Sequence, residues 1–305
     1  MGAENQGMDE VKPDHGQIGY HVIRLDSWNL AKQHGANSFP WHGQRPGGHQ
    51  FWCFRGQEDA SWGLKTTLER EGERYVCPVS CFAERERRIL DEFRRRSHLH
   101  VDSQAAGRTD IELLALIQHH GGPTRLLDFT YSFYVACFFA LDKAEGDAAV
   151  WVMNLMHVRR AFSRRKGRED LRKPVEYGEE ALMECNDAIS YGSTHRGVML
   201  VEPYQMSERL AAQQGTFLFP LNTAVSFEEN LESDLELPSG CLAQVKNPEN
   251  GLSFEGLFHK VLKIVLPRQI HKAAMKDLRQ MNITSASLFP GLDGFARSLR
   301  WYLTP

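Results

Sequence analysis

Three stretches of this sequence bring groups capable of chemistry close together. The first is Phe51-Trp52-Cys53-Phe54-Arg55-Gly56-Gln57. Read as a short apolar strand from Phe51 to Phe54, it stops at Arg55-Gly56, and alternation puts Arg55 on the face of Phe51 and Cys53. A planar, permanently charged fork at the rim of a core suits a phosphate or a carboxylate, and Gly56 lets backbone approach whatever Arg55 holds. The same arginine would equally serve to pair with a nearby carboxylate and pin a loop. The second stretch runs from Gln118 to Thr130 through His119-His120-Gly121-Gly122-Pro123-Thr124-Arg125-Leu126-Leu127-Asp128-Phe129. Arg125 and Asp128 lie three apart and could pair. The adjacent histidines suit acid–base work better than one metal, because successive helical positions point about 100° apart. No metal is expected. The third, Arg209 to Phe217, reads as a helix end, a glycine and a strand start, with Gln213 at the junction.

The elements that must position these groups follow from patterning. Residues 18–34 read as a strand and then a helix capped near Asp26 or Ser27, and residues 83–97 as a charged helix burying Ile89, Leu90 and Phe93. A buried helix over Ile111–His120 is ended by Gly121-Gly122-Pro123. Phe133–Leu141 is apolar all round and reads as a buried helix, and Ala148–Leu155 as a buried strand. Strands are expected at Thr124–Thr130, Val198–Val201, Thr216–Phe219 and His259–Leu266, and helices at Ile270–Gln280 and Leu292–Leu303. The last carries a stripe of Leu292, Phe295, Ala296, Leu299 and Leu303. Residues 1–17 read as a loose tail, 36–49 as a loop and 226–253 as an exposed excursion. Irregular mixing of helices and strands argues for α+β: one domain over 18–305, with a central, bent, mixed or antiparallel sheet flanked by helices.

The chain has 305 residues and a net charge of −3, so no global basic field calls for nucleic acid. The charge is uneven, however: 157–173 is strongly basic and 228–236 acidic. No apolar run reaches the roughly 18 residues a membrane span needs. The polar N-terminus has no signal core, and the scattered cysteines, with Cys53 and Cys137 inside apolar runs, fit a reducing cytoplasm.

Together the three stretches resemble the FRG domain. Its aromatic-Arg-Gly-Gln strand stands here as Phe54 to Gln57, its long His-His-Gly motif as Gln118 to Asp128, and its Ala-Gln-x-Gly-x-Phe as Ala212 to Phe217. The segment Ala286 to Gly294 is similar to the family's C-terminal signature. Phe129 replaces the family's usual Trp and Gly291 its frequent Asp.

A more distant resemblance is to ADP-ribosyltransferases of the Arg-Ser-Glu class. Phe54-Arg55-Gly56, then Phe129-Thr130-Tyr131-Ser132, the helix after it and the strand from Val150 stand in the same order. The third element should bring a glutamate, and Gln213-Gln214-Gly215 offers an amide, leaving Asp128, Glu202 and Glu208 as other carboxylates. This resemblance implies an ADP-ribosyltransferase-like fold and transfer of ADP-ribose from NAD to a macromolecule, as an intracellular toxin or phage-defence effector. Arg55, with Gly56, Gln57 and Arg125, is expected to hold NAD. Thr130 and Ser132 would support the nicotinamide side, Gln213 the ribose, and His119 or Asp128 would act as base or orienter. If the acceptor is nucleic acid, Arg164, Arg165 and Lys166 are expected to hold it; a cognate inhibitor protein is another expected partner. A non-catalytic nucleotide- or protein-binding module and a His-dependent RNA-cleaving toxin are the alternatives.

Overall fold

A computed structural model describes residues 20–37, 39, 51–100, 108–168, 178–204, 206–244, 249–250 and 260–303. The expected tail over 1–17 and most of the 36–49 loop lie outside them. The fold is α+β, with one mixed sheet of strands in the order β5-β6-β3-β2-β4-β8-β1-β7. These are β1 (Tyr20–Arg24), β2 (Trp52–Gln57), β3 (Leu127–Thr130), β4 (Ala148–Asn154), β5 (Val198–Val201), β6 (Gly215–Pro220), β7 (Glu249–Asn250) and β8 (Val261–Leu266). Among the described residues only β1 pairs in parallel, with β7 and β8; the other pairings are antiparallel.

Helices cover both faces. The apolar α5 (Phe133–Leu141) packs across β2 and β4 beside α1 (Trp28–Asn37) and α10 (His271–Gln280), so being apolar all round matches a position with few solvent-facing sides. At Gly56 an added Cβ would lie 2.0 Å from Ala136 O and 2.5 Å from Ala140 N. This glycine therefore admits α5 onto β2, where the sequence had suggested room for a ligand. The other face holds α6 (Leu155–Arg165) and α9 (Phe227–Asp234). Near β5 and β6 a third cluster joins α3 (Phe82–Arg96), α4 (Asp110–His119) and α7 (Glu179–Ser190). Three short helices lie close to the edge of the site: α2 (Thr67–Arg74), α8 (Glu208–Ala212) and α11 (Ser285–Leu288). No helix among the described residues is long and apolar enough to cross a membrane.

Four expectations change. The strand begun near Phe51 continues through Arg55 and Gly56 to Gln57, because β4 pairs with it along that whole length. Residues 226–253 are not uniformly exposed: Phe227, Leu231, Leu235, Cys241 and Leu242 enter the core. The terminal helix α12 (Leu292–Ser298) gives way to a 3-10 turn at Leu299–Leu303, and Leu292, Phe295, Leu299 and Leu303 are exposed. Finally, the basic and acidic blocks meet. Arg165 pairs with Asp234 and Glu184, Lys166 with Glu184, Arg164 with Glu236, and Arg168 with Glu180.

Candidate ligand-binding site

A cavity of about 780 Å³ opens where β2 and β3 run side by side. Its floor is Phe54 to Gln57 together with Asp128, Phe129 and Thr130. Phe139 comes from α5, and Arg209 and Gln213 from α8 and the turn after it. The outer wall is Trp62, Gly63 and Lys65, continued by Arg70 and Glu73 of α2. Helix α2 forms there because Thr66 and Glu69 make a reciprocal capping box at its start.

Arg55 lies at the centre of this floor. Its side chain is only 16% exposed, and Nη1 donates to Asp128 O at 2.9 Å, with Asp128 Oδ2 at 4.0 Å. Its Nε is buried and makes no hydrogen bond within the described protein. Burial lowers the guanidinium to about 10, against a smaller opposing effect of Asp128. Arg55 therefore remains charged at neutral pH, in a place where its charge is poorly compensated. A guanidinium kept in that state is matched by an anion in the cavity.

The expected partners divide into three groups. Thr130 lines the cavity and donates to Gln213 O at 2.7 Å, tying β3 to the turn before β6. Gln213 lines it too, anchored by Nε2 on Leu288 O at 3.0 Å, so its amide oxygen is left for a ligand. Gln57 lines it as a structural link: it accepts from Trp151 Nε1 at 2.7 Å and donates to Gly63 O at 2.8 Å. Asp128 faces the opening and accepts from Gln118 Nε2 at 2.7 Å, which fixes the carboxylate.

Two residues named with the cofactor do other work. Arg125 is fully buried; Nε donates to Glu86 at 2.6 Å, and its guanidinium lies 4.9 Å from the centre of the Phe219 ring. It lines none of the site because the partner for its charge, Glu86, sits on the buried face of α3. Ser132 caps α5, accepting from Val135 N, and also lies off the cavity wall. His119 lines a neighbouring cavity of about 350 Å³ with His120, Arg108 and Ser207. The two cavities share Asp128, Arg209 and Gln213 as a partition. Burial lowers the His119 pKa, helped by His120 and Arg209, and its Nδ1 lies 3.3 Å from Ser207 Oγ. Among the other carboxylates considered, Glu202 is engaged with Tyr131, and Glu208 does not line either cavity. Arg164, Arg165 and Lys166 also lie off both cavities.

Lys65, Arg70, Glu73, Glu58, Trp62 and Arg209 complete the site, and the patterning of the sequence did not single them out. The one local signal for the wall was Thr66-Thr67-Leu68-Glu69, a capping-box spelling that marks a helix start. Four cations, three carboxylates and four aromatic rings thus share one opening.

Residues 50–148 match the FRG domain. The FRG match begins just before β2 and ends as β4 starts, so it contains Arg55, the Trp62–Glu73 wall, His119 and Asp128. Arg209 and Gln213 lie beyond it, as does the C-terminal segment that resembles the family. No curated protein and no solved structure matches the chain.

Proposed function

We propose that the cavity around Arg55 binds NAD and that the protein transfers ADP-ribose from it to a macromolecule. The observation that carries this reading is the buried Arg55 guanidinium with an unpartnered Nε. It stands in one opening with Lys65, Arg70 and Arg209 and with the rings of Phe54, Trp62, Phe129 and Phe139. Cations recognise the pyrophosphate and rings take flat bases, and about 780 Å³ lies within the range of pockets that enclose ligands of this kind.

In this reading the bond from ribose C1′ to nicotinamide breaks with its electron pair leaving on the nicotinamide, and a cationic sugar results, as in glycoside hydrolysis. Asp128, fixed by Gln118, supplies the opposing charge, and the Gln213 amide oxygen takes a ribose hydroxyl. The partition formed by Asp128, Arg209 and Gln213 has the NAD cavity on one side and His119 on the other. The acceptor enters from the His119 side, where a neutral imidazole takes the proton from its attacking hydroxyl. A carboxylate at Asp128 takes over the role that the resemblance assigns to a glutamate near Gln213. A toxin or defence role follows from such chemistry, since modification of an essential macromolecule disables it. The test is incubation of purified protein with labelled NAD and cell lysate. Nicotinamide release with transfer of label is expected; neither product would leave the transferase reading without support.

One observation favours a second reading, a binding module without chemistry. Asp128 is held by Gln118 and lies beside Arg55, so its negative charge is already partly matched. That reading expects NAD to raise the melting temperature with no release of nicotinamide.

A further inference from the structure

The outer wall of the cavity is held by three polar side chains that reach it from beneath. Lys263 Nζ on β8 donates to Trp62 O at 2.9 Å. Gln57 Nε2 on β2 donates to Gly63 O at 2.8 Å. Glu228 Oε1 on α9 accepts from Leu64 N at 2.7 Å. Three consecutive backbone groups are thus gripped from three separate elements, and Gly63 passes so close that an added Cβ would lie 2.5 Å from Glu228 Oε1. Trp62 itself is 51% exposed at the mouth, so its position rests on these backbone grips more than on burial of its ring.

Lys263 is the unusual member. It sits in the middle of the sheet, 8% exposed, between Val22 of β1 and Trp151 of β4. Its ammonium lies 4.6 Å from the centre of the Trp151 ring. No carboxylate of the described residues is within ion-pair distance of it. The charged and titratable groups that face it are Glu228 from α9 and Asp59 from the loop after β2. Tyr20 of β1 stacks on the same indole at 5.7 Å. A buried cation with one carbonyl and one ring as partners costs stability, and an apolar residue would fill the position better.

We propose that Lys263 is a positioning residue for the ligand cavity: its ammonium, through Trp62 O, holds the Trp62–Leu64 wall in the closed arrangement that a ligand needs. Burial lowers Lys263 to about 8, with Glu228 and Asp59 opposing the change. Below that pH the grip is a charged donor set against the Trp151 ring. Above it the neutral amine keeps a weaker donor and loses its attraction to the ring. Because the wall leads directly into Lys65, Arg70 and Glu73, its release moves three ligand-facing groups at once. The pH dependence of stability runs the opposite way. The folded-state pKa lies below the ordinary lysine value, so this group's contribution to stability improves as pH rises through about 8 toward the ordinary lysine range. Ligand binding and stability therefore diverge at this residue, and a merely structural role would not separate them.

The inference uses NAD as a probe and so rests in part on the reading above; a second measurement frees it from that dependence. NAD is titrated into wild-type protein, Lys263→Met and Lys263→Arg at pH 7 and pH 9. Wild-type affinity is expected to fall about tenfold between the two, the weight of one charge-assisted hydrogen bond. Lys263→Met should bind about tenfold more weakly at pH 7 with no further fall at pH 9, while unfolding no earlier than wild type. Lys263→Arg should bind at both pH values. Independently, the emission of Trp62, taken as the difference between wild type and Trp62→Phe, is followed from pH 6 to 10 without ligand. A transition near pH 8 that disappears in Lys263→Met supports the clamp even if NAD does not bind, in which case the NAD reading alone fails. A Trp62 signal with no transition near pH 8, or one unchanged in Lys263→Met, overturns it.

Discussion

At the scale of single residues, Arg55 carries a conflict between stability and binding. Its pKa is pulled below the ordinary arginine value, so the folded state disfavours its charge at every pH below about 10. Arg55→Met should therefore leave the melting temperature unchanged or higher while removing ligand affinity. Arg55→Lys keeps the charge and loses the planar fork, and a rise in Kd of about tenfold is expected by calorimetry. His119 gives a pH test of its role. Burial, helped by His120 and Arg209, holds its pKa below the ordinary imidazole value, so group transfer should hold steady through neutral pH and fall only on acidification. Transfer already falling at pH 7 would argue for another base. Arg55 was legible from its place after an apolar strand, and Cys53 and Cys137 as core residues from their apolar surroundings. Arg125 was not, because its partner Glu86 lies 39 positions away and sequence spacing offered only Asp128.

At the scale of elements, β2 and α5 meet tightly at Gly56. Gly56→Ala would push a methyl group into Ala136 O, so α5 must lift from the sheet. A loss of at least about 2 kcal/mol is expected by urea denaturation, in the upper part of the overpacking range. A loss under 0.5 kcal/mol would mean that α5 yields easily. The junction of α3 with the loop before β3 makes a second test. Glu86→Ala leaves Arg125 buried without its partner, at a cost of about 3–5 kcal/mol. Replacing both by apolar residues should cost clearly less. Continuous apolar runs with polar residues at their ends made α5, β4 and β5 readable to within a residue. The stripe of α12 was read as amphipathic from its helical period, but period alone does not say whether another element covers the stripe. Helix α2, which forms the cavity wall, is short and polar, and only its capping box announced it.

For the whole molecule, the charge blocks show how far composition carries. Residues 157–173 and 228–236 looked like separate surfaces, yet Arg164 and Arg165 meet Glu236 and Asp234. Neutralising Arg164, Arg165 and Lys166 together should lower stability, since Asp234 is left buried without its partner, and should leave ligand binding intact. The site combines β2, β3, α2, α8 and the turn into β6, which no local pattern could have joined. Every role given to the site residues follows from a nucleotide bound in the Arg55 cavity. Calorimetric titration of NAD into wild-type protein and Arg55→Met at pH 7 tests that binding most directly. One saturable site in the wild type, absent in a variant that melts at the same temperature or higher, is the predicted result; no heat with the wild type, or equal binding by both proteins, would contradict it.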